Sequence, residues 1–256
     1  MKLSVICPSI NPDRWPVLIH ELKNSVGEYE FEFICVGPSN KDACLDGWLN
    51  FKYIQEYSCP SRSFQVAALQ AEGEYIAFVP DDIKMDVDGL KKLIDLADTK
   101  PDKDGYTLRY DEGPGNQSQD DSYWVGRTHD DQRLKGVKDG WRIAPCFMYS
   151  RSHFYRMGGL DCSMEHVNLN SHGLAYMTQA EGGKMHPSPT RIFSAGWAPP
   201  TDATILYQAY LNNDKPKFTD IWDKPNASDY YTVSLENWRE QPYVWPRRYE
   251  QRQEQT

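Results

Sequence analysis

Residues 71–82 read AEGEYIAFVPDD, an apolar run that ends in Pro80 and two adjacent aspartates. Residues 75–79 have the length and composition of one buried strand, because aromatic and aliphatic residues follow one another without a polar break. Asp81 and Asp82 come directly after that run, so two carboxylates emerge together where the strand ends. Divalent ions such as Mg²⁺ or Mn²⁺ prefer oxygen ligands and commonly take one or two protein carboxylates plus substrate phosphates. The pair indicates a divalent-metal site, and its plain alternative is a loop that caps the next helix.

Three more apolar runs precede this one, each near the length of a strand: residues 3–7, 31–36 and 51–57. Between them, apolar residues recur at three- and four-residue spacing before Gly27 and again before Gly73, which is typical of helices. Strands that alternate with helices predict right-handed crossovers and an α/β fold with a mostly parallel sheet. The same patterns predict helices at 87–99, 152–157 and 171–180 and a strand at 143–149.

The segments that follow the first four predicted strands are rich in polar and turn-forming residues. They read PSINP (8–12), GPSN (37–40), SCPSRS (58–63) and PDD (80–82). In open parallel sheets ligands bind at the carboxyl ends of the strands. We therefore expect these four loops to line one crevice.

The composition of the chain limits which ligands could bind in this predicted crevice. The formal net charge of −9 leaves no basic surface for a nucleic-acid backbone, which argues against a polyanion as principal partner. The charge of a small phosphorylated ligand would have to be met locally, by a metal ion and a few basic side chains. The six cysteines form no CxxC pair, and the first apolar run stops at Pro8, so we expect reduced thiols, no transmembrane segment and a cytoplasmic location.

Residues 71–82 resemble the strand and acidic motif of family 2 glycosyltransferases, which have the GT-A fold. Residues 3–11 (LSVICPSIN) are similar to that family's opening strand and loop, residues 33–42 to its second strand and turn, and residues 157–161 (MGGLD) to its acceptor-side motif. The resemblance implies a Rossmann-like GT-A domain over residues 1–192, with a nucleotide-binding half at 1–100 and an acceptor half at 101–192. The aperiodic residues 193–256 are expected to form an irregular C-terminal arm packed on the same domain.

The resemblance also implies an activity: inverting transfer of a sugar from a nucleotide-diphosphate donor, a UDP-sugar by preference, assisted by Mn²⁺ or Mg²⁺. Its metal ligands would be Asp82 and the late histidine His186. The residues that it implies for nucleotide-sugar binding are Pro8, Ser9, Asn11, Ser39, Ser61, Arg62 and Asp81.

The chain departs from the family pattern at three places. Gly37 and Pro38 stand where the family usually has a base-contacting Asp, and Pro80 stands where it often has the first Asp of the acidic motif. The Glu-Asp pair that supplies the general base has no clean counterpart. Such a base must accept the proton of the acceptor hydroxyl, a task for a carboxylate or a histidine. The candidates are Glu165, preferred for its distance from the Gly-Gly motif, then Asp161, and also His166 and His172. A register counted back from Gly182 would instead select Asn170 and Ser171 and leave no base.

Two other classes of function stay open. A nucleotidyltransferase also uses a parallel sheet and acidic metal ligands, but typically has a Gly-rich, basic loop after its first strand, and residues 8–12 contain neither glycine nor a basic residue. A sugar- or nucleotide-binding protein of the same fold would need no base. The acceptor is equally open between a glycan, a lipid-linked sugar, a protein and a modified base, since residues 111–140 predict only a long loop or hairpin that could close over the site.

Overall fold

A seven-stranded sheet forms the centre of the protein in a computed structural model that describes residues 1–39, 45, 47–112, 134–195 and 207–239. Its order is β3-β2-β1-β4-β8-β6-β9; β8 runs antiparallel to both neighbours and every other adjacent pair is parallel. The mostly parallel α/β sheet predicted from the sequence is thus confirmed. The strands are β1 (Leu3–Pro8), β2 (Phe31–Gly37), β3 (Phe51–Gln55), β4 (Tyr75–Phe78), β5 (Ile83–Met85), β6 (Gly105–Thr107), β7 (Tyr110–Glu112), β8 (Phe147–Ser150), β9 (Met185–Pro187) and β10 (Phe193–Ala195).

Helices cover both faces of this sheet. Alternate residues of β1 point to opposite sides, so Val5 joins one apolar cluster and Ile6 the other. The first cluster lies under α1 and α3, and the second lies under α2, α4 and α5. The helices are α1 (Trp15–Val26), α2 (Pro60–Ala68), α3 (Gly89–Ala97), α4 (Arg151–Arg156), α5 (Val167–Ala180) and α6 (Lys215–Trp222).

A second, three-stranded sheet of order β5-β10-β7 lies beside the first. Its middle strand β10 runs antiparallel to β5 and parallel to β7. Arg191, just before β10, donates two hydrogen bonds to Asp86 at 2.8 and 2.9 Å and one to Asp111 at 2.7 Å. Through one guanidinium, Arg191 thereby links β10 to both of its neighbours, to Asp86 just after β5 and to Asp111 within β7.

The C-terminal part of the described chain packs against α5. A π-helical turn, Tyr210–Asp214, leads into α6, and Trp222 of α6 is fully buried against Tyr176 and Tyr231. The C-terminal arm thus also contains β10 and α6, which its aperiodic sequence does not reveal. Residues 113–133, most of the predicted loop at 111–140, lie outside the described residues, as do residues 196–206 and 240–256. Within the described ranges, none of the helices combines the length and the apolar character that crossing a bilayer requires.

Candidate active site

Asp81 joins the loops that follow β1 and β4. Its Oδ2 accepts hydrogen bonds from Ser9 Oγ at 2.7 Å and from Asn11 Nδ2 at 3.0 Å, and its Oδ1 lies 3.4 Å from Arg14 Nη1. Trp15 Nε1 donates to Ser9 Oγ at 2.8 Å from within the core. Hydrogen bonds therefore join the two loops into one unit at the carboxyl end of the sheet, and this unit contains three of the residues implied for nucleotide binding.

Gly37, at the end of β2, lies directly against the loop after β1. A Cβ atom added to Gly37 would meet the carbonyl oxygen of Ser9 at 1.9 Å, so no larger residue fits there in this backbone. Pro8, next to the loop, pairs with Val36 in the sheet. The hydroxyl of Tyr53 contacts the carbonyl oxygens of Gly37, at 2.8 Å, and of Ser39. The close approach gives a physical reason why the aspartate expected after the second strand is missing.

Asp82 follows Asp81 at the same edge and is partly buried. Burial raises the pKa of Cys7 in β1, and the neighbouring Cys35 thiol and the charges of Asp81 and Asp82 raise it further. Among the described residues, no three or more His, Cys, Asp or Glu side chains are grouped so that they could hold a metal ion. An ion that takes one protein carboxylate and completes its shell with phosphate oxygens and water fits Asp82.

His186 is not brought together with Asp82. It lies in β9, and the register through Tyr106 and Met148 sets it level with Ala77, three strand spacings or ~14 Å from β4. Its Nε2 contacts Asp104 Oδ2 at 2.7 Å. Asp104 precedes β6, which runs parallel to β4, so this contact lies toward the amino edge of the sheet, away from the crevice.

Ser61 and Arg62 lie in the first turn of α2. Ser61 is fully buried, and both its backbone N–H and its hydroxyl donate to the carbonyl oxygen of Glu165, at 3.2 and 3.1 Å. The buried Arg62 guanidinium lies 5.9 Å from the ring centroid of Trp238, and its Nε lies 3.7 Å from Glu56 Oε1. Nε and Nη1 of Arg62 have no hydrogen-bond partner among the described residues. Ser61 is thus committed to the loop that contains Glu165, whereas Arg62 keeps unused donors.

Three of the four base candidates share one loop, between Leu160 and α5. Asp161 Oδ1 accepts from the backbone N–H and the hydroxyl of Ser163, which closes a local turn. His166 caps α5: its Nδ1 accepts from Asn168 N at 3.0 Å, which leaves the ring proton of a neutral imidazole on Nε2. Glu165 is buried, with 7% of its surface exposed, just before the positive end of the α5 dipole.

Asp214, which the sequence did not single out, accepts from the backbone N–H groups of Glu165 and His166 at 2.9 and 2.6 Å. Its side chain is fully buried. Burial raises its pKa, while the bonds from these two amides and from Asn213 oppose that rise. No sequence signal near Asp214 could have found it, because its partners lie 49 and 48 residues earlier in the chain.

The seven-stranded, mainly parallel sheet flanked by helices is that of a GT-A glycosyltransferase fold. The chain is similar to the crystal structure of S. aureus TarS 1–349 in complex with UDP, with a TM-score of 0.57 and 19% identity over 93% of this chain and 74% of that one. It is also similar to TarS 1–349 in complex with UDP-GlcNAc, with a TM-score of 0.55 and 18% identity over the same shares.

A longer TarS structure matches with a TM-score of 0.54 and 19% identity over 91% of this chain but 44% of the TarS chain, so the protein spans less than half of that length. No family model matches the sequence, and no curated protein matches it.

Proposed function

We propose that this protein is a glycosyltransferase that moves a sugar from a nucleotide-diphosphate donor, a UDP-sugar, to an acceptor hydroxyl. The observation that carries the proposal is the unit formed by the loops after β1 and β4, in which Asp81 binds Ser9 and Asn11 beside Asp82. In this fold such a unit lies where ligands bind, at the carboxyl ends of parallel strands. The similarity to TarS structures crystallised with UDP and with UDP-GlcNAc supports the choice of donor.

The donor would lie across the carboxyl ends of β1, β2 and β4. Pro8, Ser9, Asn11 and Ser39 would line the nucleoside pocket, and the unused donors of Arg62 suit an anionic group. Asp82 would hold a Mn²⁺ or Mg²⁺ ion, which when bound would neutralise charge on the departing diphosphate. Asp81 would organise the pocket, because both of its oxygens already face the loop after β1.

Glu165 would be the general base of an inverting, single-displacement reaction. The acceptor oxygen attacks the anomeric carbon, the bond from that carbon to the diphosphate oxygen breaks, and the hydroxyl proton passes to the carboxylate. Glu165 is preferred for its distance from the Gly-Gly motif, and Asp161, the second candidate, accepts two bonds from Ser163 at its Oδ1. His166 would serve as the cap of α5 beside it.

Thermal stabilisation by nucleotides is the first test. Melting temperatures are compared with UDP, GDP, CDP and ADP, each with and without Mn²⁺. We expect UDP with Mn²⁺ to give the largest rise, because a ligand that binds only the folded state stabilises it. No shift with any pair would count against the proposal.

Turnover is tested as release of UDP from UDP-GlcNAc and UDP-glucose, which needs no knowledge of the acceptor because water can replace it. Asp82→Asn should abolish the Mn²⁺ dependence of binding, and Glu165→Gln should lower turnover while UDP still binds. The matched controls are Asp220→Asn, at an exposed position of α6, and Glu181→Gln, at the far end of α5; both should behave like the wild type. Binding of UDP without release from any donor would favour a nucleotide-sugar-binding protein.

A further inference from the structure

Asp214 sits at the junction of the π-helical turn and α6, yet its carboxylate makes no capping bond to its own helix. Instead it reaches across to the loop before α5. A fully buried carboxylate is costly unless its oxygens are hydrogen-bonded. Here three donors satisfy it: the N–H groups of Glu165 and His166 and, at 2.8 Å, the Nδ2 of Asn213.

Each oxygen of the Asp214 carboxylate accepts a hydrogen bond from one of two successive backbone amides. Oδ1 accepts from Glu165 N at 2.9 Å and Oδ2 from His166 N at 2.6 Å. On the other side of the same residue, Ser61 donates twice to the carbonyl oxygen of Glu165. The peptide groups before and after the Cα atom of Glu165 are therefore both fixed, which sets the direction in which its side chain leaves the backbone.

Neighbouring side chains reinforce this contact between the C-terminal segment and the loop. Asn213 Nδ2 also contacts the carbonyl oxygen of Ser163 at 3.2 Å, and Lys217 Nζ donates to the Ser163 hydroxyl. Asp161, Ser163, Glu165 and His166 are thus all tied, directly or through one neighbour, to residues 213–217. Asp214 is the member of this segment that reaches the candidate base itself.

We propose that Asp214 is a positioning residue, which holds the Glu165 backbone so that its carboxylate can take the proton of the acceptor hydroxyl. The inference rests on the proposed function, because it assumes Glu165 as the base. Its structural part is independent of turnover: without the Asp214 carboxylate the amides of Glu165 and His166 lose their acceptors. The loop should then move while the nucleotide loops after β1 and β4 stay in place.

Hydrogen exchange tests the structural part on the full chain. In Asp214→Asn one carboxylate oxygen becomes an NH₂ group that faces a backbone N–H, so exchange in peptides covering residues 160–168 should accelerate. Exchange in β1 and β4 should stay at the wild-type rate. Asp220→Asn, in the same C-terminal segment, is the control and should leave both regions unchanged. Unchanged exchange at residues 160–168 in Asp214→Asn would overturn the proposal.

Steady-state kinetics of UDP release test the chemical part. A displacement of about 1 Å in a reacting group costs on the order of 100-fold in rate, so kcat of Asp214→Asn should fall by about that factor. The KM for UDP-GlcNAc and the Kd for UDP should stay within about twofold of wild type. Asp214→Asn added to Glu165→Gln should cause no further fall in kcat, because it acts through the residue already lost. A loss that only reflected partial unfolding would lower the number of UDP sites and leave kcat per site unchanged, which would overturn the proposal.

Asn213→Ala provides a second variant if Asp214→Asn does not fold, since it removes one donor to the same carboxylate and should give a smaller change in the same direction. Wild-type exchange and kcat in that variant would then overturn the proposal. Failure of the proposed function looks different: UDP would not bind, or Glu165→Gln would turn over like the wild type. In a protein without any turnover, the exchange rates alone would decide whether Asp214 positions the loop.

Discussion

Replacement of Gly37 by alanine should weaken UDP binding, because the added methyl group would push the loop after β1 out of place. The new Cβ would lie 1.9 Å from the carbonyl oxygen of Ser9, and close packing requires a separation of roughly 3 Å, so the two backbones must part by about 1 Å. That shift would strain the bond of 2.9 Å from Ser9 N to Val36 O and move Ser9 and Asn11 relative to Asp81. We expect Ser9 and Asn11 each to make one neutral hydrogen bond to the nucleoside, and the loss of both would reduce affinity roughly 10- to 100-fold.

The assay is isothermal titration of UDP with Mn²⁺ into the folded variant, at a temperature well below its melting point. Gly73→Ala is the matched control: its Cβ would lie 2.4 Å from Ser4 N, a comparable clash with the same strand β1 but at the amino edge of the sheet. Each substitution should destabilise the fold by about 1–3 kcal/mol through overpacking, and only Gly37→Ala should weaken UDP. Wild-type affinity in a folded Gly37→Ala protein would refute the assignment of this crevice to the nucleotide. Equal losses in both variants would trace the effect to general destabilisation.

Three predictions concern stability. His153 is fully buried, and burial, followed by repulsion from Arg156, lowers its pKa from 6.5 to about 4. As the pH falls, the imidazole is therefore protonated in the unfolded chain before it is protonated in the folded one. The free energy of unfolding should fall by about 3 kcal/mol between pH 6.5 and pH 4. In urea titrations, His153→Gln should remove this pH dependence, whereas His20→Gln, at an exposed position, should keep it. If the free energy of unfolding depended on pH equally in the wild type and both variants, His153 would not be its source. Trp222→Ala should lower the free energy of unfolding by about 3–5 kcal/mol, and a melting temperature equal to that of the wild type would show that α6 is not part of the cooperative fold. Arg191→Lys loses the two-pronged contact at a partly exposed site, so urea denaturation should show a loss of about 1 kcal/mol; a loss above about 3 kcal/mol would contradict this estimate.

The first half of the fold was predictable because its signals are local. Each strand from β1 to β4 is a short apolar run with a turn after it, and each intervening helix repeats its apolar residues at the right spacing. The parallel order then follows from the crossover rule, which brings the loops after β1 and β4 to one edge. The contact between Asp81 and the loop after β1 is a consequence of that order. What the sequence could not supply was the close approach of Gly37 to Ser9, since this depends on the twist of two backbones.

The acceptor half depends on contacts between distant parts of the chain, and there the sequence was a weaker guide. His186 is the middle residue of the short strand β9, and its partner Asp104 lies toward the amino edge of the sheet, away from Asp82. Asp214 lies in a stretch without periodicity, and its importance is visible only when residues 165 and 166 are seen to donate to it. A carboxylate that accepts a hydrogen bond from a backbone amide 48 residues earlier leaves no pattern in the neighbouring sequence.

The two adjacent aspartates at the end of β4 illustrate how one motif can hold two roles. An ionised carboxylate has about four lone-pair sites on its two oxygens, so a metal ligand can also accept hydrogen bonds from the protein. Asp81 faces Ser9, Asn11 and Arg14, so it is committed to the shape of the nucleotide loop. In the proposed function Asp82, next to Asp81 at the end of β4, has the metal-binding role because the family resemblance implies it. The order that Asp81 imposes on the loop would in turn keep Asp82 at a constant distance from a diphosphate bound there.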